Sequence, residues 1–131
     1  MTIENSRRPR LLAIDDDITV RAMLETALSP HYDIVCLPNG DEVLKTIEKQ
    51  DSQLLLLDVH IAGDDGFEIC ERVRAQPGLK RIPILFMTIR KDDATFLRSL
   101  AAGGDGHILK PFLVPELRAK IDHLVDAQTA R

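Results

Sequence analysis

Side chains that can bind a cation or a phosphoryl group stand at the ends of short apolar runs in this sequence. They are Asp15, Asp16, Asp58, Thr88 and Lys110. A group of hard carboxylate oxygens with few nitrogens suits Mg²⁺, which takes one or two carboxylates, keeps several waters and bridges to a phosphoryl group. We therefore expect the negative charge of Asp15, Asp16 and Asp58 to hold a cation.

Apolar runs alternate with amphipathic segments along the whole chain. The runs cover residues 11–14, 33–37, 54–57, 83–87 and 107–109. Each is short and bounded by turn or charged residues, as strands are. Helical patterns follow the runs, the clearest over residues 20–28, and the fourth is marked by Phe96, Leu97, Leu100 and Ala101. Because each crossover helix must bury one side, this alternation predicts an α/β fold with a doubly wound, five-stranded parallel sheet.

A sheet of this kind binds ligands beyond the carboxyl ends of its strands. The polar side chains that follow the first, third, fourth and fifth strands are therefore expected to meet at one edge. An acidic run before a helix also caps that helix and complements its dipole, and this role is assigned to Asp17.

Composition narrows the class of protein. A chain of 131 residues with 44% hydrophobic and 29% charged residues has the balance of one compact domain. With a net charge of -4, the chain lacks the excess of positive charge that direct binding to nucleic acid or to an anionic membrane requires. No apolar run approaches the roughly 20 residues of a membrane span, so a cytoplasmic location is expected. Cys36 and Cys70 are interpreted as reduced core residues.

The chain resembles the receiver domain of two-component response regulators, the CheY-like family. The resemblance covers about residues 10–127 and rests on IDDD (14–17), LLLLDVHIAGDDGFE (54–68), FMTIR (86–90) and GHILKPF (106–112). It implies a flavodoxin-like (βα)5 fold with strand order 2-1-3-4-5. Residues 1–9 would then form a flexible N-terminal arm, and residues 128–131 a C-terminal tail.

The resemblance also implies a chemistry centred on Asp58. This residue would accept a phosphoryl group from a phosphohistidine on a sensor histidine kinase or a histidine phosphotransfer protein. Asp16, Asp58 and the backbone carbonyl of His60 would bind Mg²⁺, for which Mn²⁺ can substitute, while Asp15 would act largely through water. The protein would catalyse its own phosphorylation and dephosphorylation and would not be an enzyme acting on a separate substrate.

Two further residues of the family pattern would hold the phosphoryl group. Thr88 would bond a phosphoryl oxygen and Lys110 would pair with it. The family pattern also implies a cis peptide bond between Lys110 and Pro111. Dimerisation or binding to an unknown effector would use the face formed by residues 92–125.

The sequence departs from the family pattern near this site. Ala62 replaces a proline that is common in the loop after the acceptor. His107 replaces the Tyr or Phe whose ring rotates inward behind Thr88, and protonation of the histidine would make that rotation pH-dependent. Ile89 replaces a small residue and should crowd access to the acceptor. His60 and Arg90 occupy the positions that tune the lifetime of the phosphoryl group.

Two other hypotheses remain. DDDIT (15–19) fits the DxDxT signature of haloacid-dehalogenase-like phosphatases, with Asp15 as nucleophile and Asp17 as general acid. In that family's site, Thr88 would supply the hydroxyl and Lys110 the lysine. The short chain, the missing second acidic pair and the idle Asp58 oppose it. A receiver-like interaction module that does not depend on phosphorylation is opposed by the complete set of site residues.

Overall fold

The computed structural model describes residues 8–61, 63–89 and 92–129, and these form a parallel sheet with helices on both faces. The strands of the sheet are β1 (Arg10–Ile14), β2 (Asp33–Leu37), β3 (Leu54–Asp58), β4 (Ile84–Thr88) and β5 (Gly106–Leu109). The helices are α1 (Ile18–Leu28), α2 (Val43–Gln50), α3 (Gly66–Arg74), α4 (Asp93–Ala101) and α5 (Val114–Thr129). The sheet order is β2-β1-β3-β4-β5 with every pair parallel, which confirms the predicted doubly wound, flavodoxin-like fold.

Each face of the sheet has its own apolar core, because successive side chains of a strand point to opposite faces. Leu54 and Leu56 of β3 pack in the core that includes α1 and α5. Leu55 and Leu57 pack in the core that includes α2 and α3. None of the four leucines has exposed surface. Burial on both faces explains why the central strands are continuous apolar runs, and it makes their carboxyl ends a rigid support for the loops that follow.

The packing of α4 differs from what its apolar pattern indicates. Phe96, Leu97 and Leu100 identify the helix, but these side chains are 44%, 61% and 53% exposed. The residue of α4 that is buried is Ser99, whose Oγ donates a hydrogen bond to the carbonyl of Phe96 at 2.6 Å. The buried side chain of α4 is therefore a small polar one, and the apolar side chains Leu97 and Leu100 are more than half exposed.

The loops and chain ends differ in detail from the sequence prediction. Asp58 and Thr88 are the last residues of their strands and not the first residues after them. The loop after Asp58 contains a short antiparallel hairpin, His60–Ile61 with Asp64–Asp65, which the sequence did not predict. α5 continues to Thr129, inside the predicted C-terminal tail, while residues 1–7 and 130–131 lie outside the described residues.

Two other expectations concern cysteines and membrane spans. Both cysteines are free; Cys70 is buried as predicted, whereas Cys36 is only partly buried. Gly103, which follows the C-cap of α4, has a φ of +98°, the left-handed conformation in which helices commonly end at a glycine. Within the described part of the chain, no helix has the length and apolar character needed to cross a membrane.

Candidate functional site

The register of the sheet brings the predicted site residues to one edge. β1 and β3 are paired up to the residues that precede Asp15 and Asp58, so these two aspartates leave the sheet side by side. On the other side of β3, the backbone N–H of Lys110 donates to the carbonyl of Thr88 at 2.8 Å. The prediction that these side chains meet at the carboxyl ends of the strands is therefore confirmed.

Asp15, Asp16 and Asp58 form an acidic cluster whose carboxylate oxygens lie within 4.8 Å of one another. Asp15 has no exposed surface and Asp58 is 6% exposed, whereas Asp16 faces solvent. Three hard oxygen donors with one open side fit the ligand preference of Mg²⁺. These residues would hold such an ion. A contribution from the backbone carbonyl of His60 stays a prediction.

The carboxylate of Asp15 is fixed by hydrogen bonds to both of its oxygens. Oδ1 accepts the backbone N–H of Asp17 at 3.0 Å, and Oδ2 accepts a bond from Nζ of Lys110 at 2.6 Å. The carbonyl of Asp15 accepts a bond from the Arg21 guanidinium at 2.8 Å. With both oxygens engaged, the Asp15 carboxylate is held in place beside the cluster, and its action on a cation through water stays a prediction.

Lys110 connects the two buried carboxylates. Its Nζ lies 2.6 Å from Oδ2 of Asp15 and 3.4 Å from Oδ1 of Asp58. Burial alone would lower the pKa of the Lys110 ammonium, but its hydrogen bond to Asp15 and the charge of Asp58 outweigh burial and raise that pKa. The ammonium therefore stays charged. The peptide bond between Lys110 and Pro111 is cis, as the family resemblance implies.

The environment of Asp58 disfavours its charged form in the absence of a further cation. Burial raises the pKa of this carboxyl; Lys110 opposes the shift, and the negative charge of Asp15 adds to it, so that the pKa is above its usual value. The backbone N–H of His60 faces Oδ1 of Asp58 at 3.4 Å and adds only weak support. A divalent cation beside Asp58 would relieve both the burial penalty and the repulsion from Asp15.

Two residues that the sequence prediction did not single out shape the loop after Asp58. A Cβ on Gly66 would lie 2.1 Å from the carbonyl oxygen of Asp58, so only glycine fits beneath the end of β3. Asp65 caps α3 by accepting the N–H of Phe67 at 2.8 Å. The signal was present in the sequence, because Asp65 and Glu68 have the spacing of a capping box.

Thr88 borders a cavity of about 80 Å³ between α4 and the sheet. The side chains around it include Phe86, Phe96, Ser99 and His107. His107 is partly exposed, and its ring contacts the ring of Phe96 edge to face with centroids 5.3 Å apart. Space therefore exists beside His107 on the inner side of α4. The inward rotation of this ring stays a prediction.

The remaining predicted residues lie at the entrance to the site or outside the described part of the chain. Ile89 directly follows Thr88 and is 69% exposed, which places it at the rim. His60 is exposed two residues after Asp58. Ala62 and Arg90 lie outside the described residues.

The geometry of Asp17 bears on the phosphatase hypothesis. Asp17 is the N-cap of α1, and its Oδ1 accepts the N–H of Thr19 at 2.8 Å, which confirms its capping role. The proposed nucleophile of that hypothesis, Asp15, is buried and bonded at both oxygens. Asp58, idle in that hypothesis, belongs to the acidic cluster.

Comparisons with known proteins agree with this geometry. The family model described as response regulator receiver domain matches residues 11–122. The phosphate regulon transcriptional regulatory protein PhoB of Rhizobium meliloti is 31% identical over 114 residues, which are 86% of this chain and 50% of that protein. The transcriptional regulatory protein AfsQ1 of Streptomyces coelicolor is 35% identical over 86% of this chain and 49% of its own length. The chain thus spans about half the length of these curated relatives.

Solved structures give the same result. A putative response regulator from Chloroflexus aurantiacus superposes with a TM-score of 0.85 at 34% identity, covering 92% of this chain and 99% of that one. The chemotaxis protein CheY4 of Vibrio cholerae also has a TM-score of 0.85, at 28% identity and with coverages of 89% and 98%. With its parallel sheet, its acidic cluster at the carboxyl edge and a family match over most of its length, the chain belongs to the response regulator receiver domain family.

Proposed function

We propose that this protein is a phosphorylation-activated switch that accepts a phosphoryl group on Asp58. The observation that carries the proposal is the contact of the Lys110 ammonium with both Asp15 and Asp58 beside the exposed Asp16. In this arrangement an oxygen of Asp58 can attack a phosphorus atom, while the Lys110 ammonium places positive charge beside the phosphoryl oxygens. Positioning and charge neutralisation are the main requirements of phosphoryl transfer.

The proposed reaction moves a phosphoryl group from a nitrogen atom of the donor to an oxygen atom of Asp58. An oxygen of Asp58 forms a bond to phosphorus while the phosphorus–nitrogen bond of a phosphohistidine breaks, and the imidazole leaves with the electron pair and takes up a proton. A bound Mg²⁺ would add positive charge beside the phosphoryl oxygens. Lys110, at 3.4 Å from Asp58, is close enough to pair with a phosphoryl oxygen attached there. Water attacking the same phosphorus releases phosphate and restores the carboxylate.

A rim of exposed apolar side chains supports a protein as the phosphoryl donor. Ile18, Ile89 and Leu113 are 71%, 69% and 73% exposed. They follow β1, β4 and β5 within a few residues of Asp16, Thr88 and Lys110. Apolar side chains around a charged pocket favour docking of a partner whose histidine then reaches Asp58. A sensor histidine kinase or a histidine phosphotransfer protein fits this requirement.

The outward apolar face of α4 supports a separate output surface. Phe96, Leu97 and Leu100 are exposed on the element that borders the cavity beside Thr88. We assign dimerisation or effector binding to the face of residues 92–125, in which these side chains lie. The identity of the effector and a cytoplasmic location stay predictions from the sequence.

Donor selectivity tests the proposal. With Mg²⁺ present, phosphoramidate should transfer one phosphoryl group per chain as measured by intact mass, whereas ATP without a kinase should transfer none. Asp58→Asn should accept none. A wild-type protein that stays unmodified would favour the phosphorylation-independent module, and repeated turnover of p-nitrophenyl phosphate would favour the phosphatase.

A further inference from the structure

α4 has few buried contacts with the rest of the molecule. Ser99 is its buried residue, Leu97 and Leu100 are more than half exposed, and the partly exposed Phe96 borders a cavity of about 80 Å³. A helix packed in this way gains little from the apolar contacts that usually hold a helix on a sheet. Polar contacts at its surface therefore contribute a larger share of what fixes its position.

Arg98 connects α4 to the start of α3. Its Nη2 lies 3.1 Å from Oδ2 of Asp65, and its guanidinium carbon lies 4.7 Å from the centroid of the Phe67 ring. Phe67 in turn packs on Phe86 with ring centroids 5.0 Å apart. One side chain of α4 thus forms an ion pair and a cation–π contact with the start of α3.

The partner of Arg98 belongs to the loop that begins at the phosphoryl acceptor. Asp65 pairs with His60 in the short hairpin that follows Asp58, and the next residue is Gly66, on which a Cβ would meet the Asp58 carbonyl. A change at Asp58 therefore reaches Asp65 within a few residues of tightly packed backbone. Arg98 therefore connects this loop to α4.

We propose that Arg98 is a latch that holds α4 in the position of the unmodified protein and is released when Asp58 is phosphorylated. This inference rests on the proposed function. By linkage, a contact that favours the unmodified arrangement opposes phosphorylation, so removing it raises the population of the competent arrangement. Arg98→Gln should therefore speed phosphorylation by acetyl phosphate and tighten the binding of Mg²⁺–beryllofluoride, a phosphoryl mimic.

The expected effect is about two- to fivefold in rate and in affinity, the lower part of the range that an exposed ion pair and an exposed cation–π contact can supply together. Arg98→Lys should fall between the wild type and Arg98→Gln, because lysine keeps the charge and loses the planar stack. Rates are measured by intact mass and beryllofluoride affinity by calorimetry.

Arg72 provides a matched control, because its partner Asp64 lies in the same loop as Asp65. It pairs with Asp64 at the same distance of 3.1 Å, and its side chain is 54% exposed compared with 53% for Arg98. Arg72, however, lies on α3 and makes no link to α4. Arg72→Gln should lose the stability of one exposed ion pair, as measured by urea titration, while leaving the rate and the affinity unchanged.

The outcomes separate the latch from the proposed function. Faster phosphorylation and tighter beryllofluoride binding in Arg98→Gln, with neither in Arg72→Gln, support the latch. If the wild type is phosphorylated but Arg98→Gln and Arg72→Gln have the same phosphorylation rate and the same beryllofluoride affinity, the latch is overturned and the proposed function stands. A wild type that takes up no phosphoryl group overturns the proposed function, and the latch with it.

Discussion

The Nζ of Lys110 lies 2.6 Å from Oδ2 of the fully buried Asp15, closer than its 3.4 Å distance from Oδ1 of Asp58. In the protein without a bound cation, the lysine therefore neutralises the aspartate beside the acceptor more than the acceptor itself. A phosphoryl group on Asp58 would present oxygens to the same ammonium. The lysine is placed to exchange one anionic partner for another without moving far.

Replacing this lysine tests its structural role. Lys110→Met should lower the free energy of unfolding without Mg²⁺ by about 3–5 kcal/mol, because it leaves the buried Asp15 charge without its cation. The same variant should bind Mg²⁺ more tightly, since a competing positive charge is gone. Urea titration and calorimetry measure the two effects. Lys120→Met, at an exposed position on α5, serves as the control; equal stabilities of the two variants would contradict the role assigned to Lys110.

Magnesium should stabilise the folded protein. Asp15, Asp16 and Asp58 repel one another without a cation, and a ligand at a hundredfold excess over its Kd stabilises the native state by about 2.7 kcal/mol. Millimolar Mg²⁺ or Mn²⁺ should therefore raise the melting temperature, and Asp16→Asn should reduce the rise. Asp41→Asn, an exposed acidic residue outside the cluster, should leave the rise unchanged. A melting temperature that is insensitive to both cations would contradict the metal site.

Ile89 should control access more than stability. Its side chain is 69% exposed, so Ile89→Ala should change the free energy of unfolding by only about 0.5 kcal/mol or less. Phosphorylation by small donors should become faster and the phosphorylated lifetime shorter, because donor and water use the same opening. Stopped-flow and phosphate-release measurements test this, with Leu44→Ala on α2 as a control away from the site. A slower donor reaction in Ile89→Ala would show that the side chain does not crowd the entrance.

The ionisation of Tyr32 gives a test of the fold itself. The pKa of Tyr32 is raised to about 12, mainly by burial. The hydrogen bond that its hydroxyl donates to Asp122 at 2.5 Å and the charge of Asp122 also raise this pKa, while Arg118 opposes the shift. A raised pKa means that this phenol stabilises the fold fully below about pH 10, and that the contribution is lost as the pH rises from 10 through 12. Tyr32 is the single tyrosine of the sequence, so ultraviolet absorbance reports it alone.

The control for this titration is Asp122→Asn, which should lower the midpoint while circular dichroism confirms that the protein is folded. The urea-unfolded chain should titrate near the usual value for tyrosine, about 10. If the folded wild type also titrates near that value, Tyr32 is not buried against Asp122 as the structure describes.

The sequence predicted the sheet and the site at its carboxyl edge because both depend on local patterns. Continuous apolar runs require burial on two faces, and Asp15, Asp58, Thr88 and Lys110 stand where those runs end. Strand register then brings them together, and the register follows from the fold class. The same reasoning could not place Arg98, whose pairing with Asp65 joins positions 33 residues apart.

The face of α4 shows a second limit. Periodicity identified an apolar stripe at Phe96, Leu97 and Leu100, but a stripe does not reveal what covers it. The buried residue of this helix is Ser99, and the side chains of the stripe are exposed. An apolar stripe on the surface has the composition of a stripe in the core, so only the structure separates the two.

The central claim is that Asp58, and no other carboxylate of the cluster, becomes phosphorylated. Incubation with Mg²⁺ and acetyl phosphate, reduction with borohydride and peptide mapping by mass spectrometry convert a phosphorylated aspartate into homoserine at its position. We expect homoserine at position 58 alone, and none in Asp58→Asn with its fold intact by circular dichroism. Homoserine at position 15, or modification that persists in Asp58→Asn, would contradict the assignment of the acceptor.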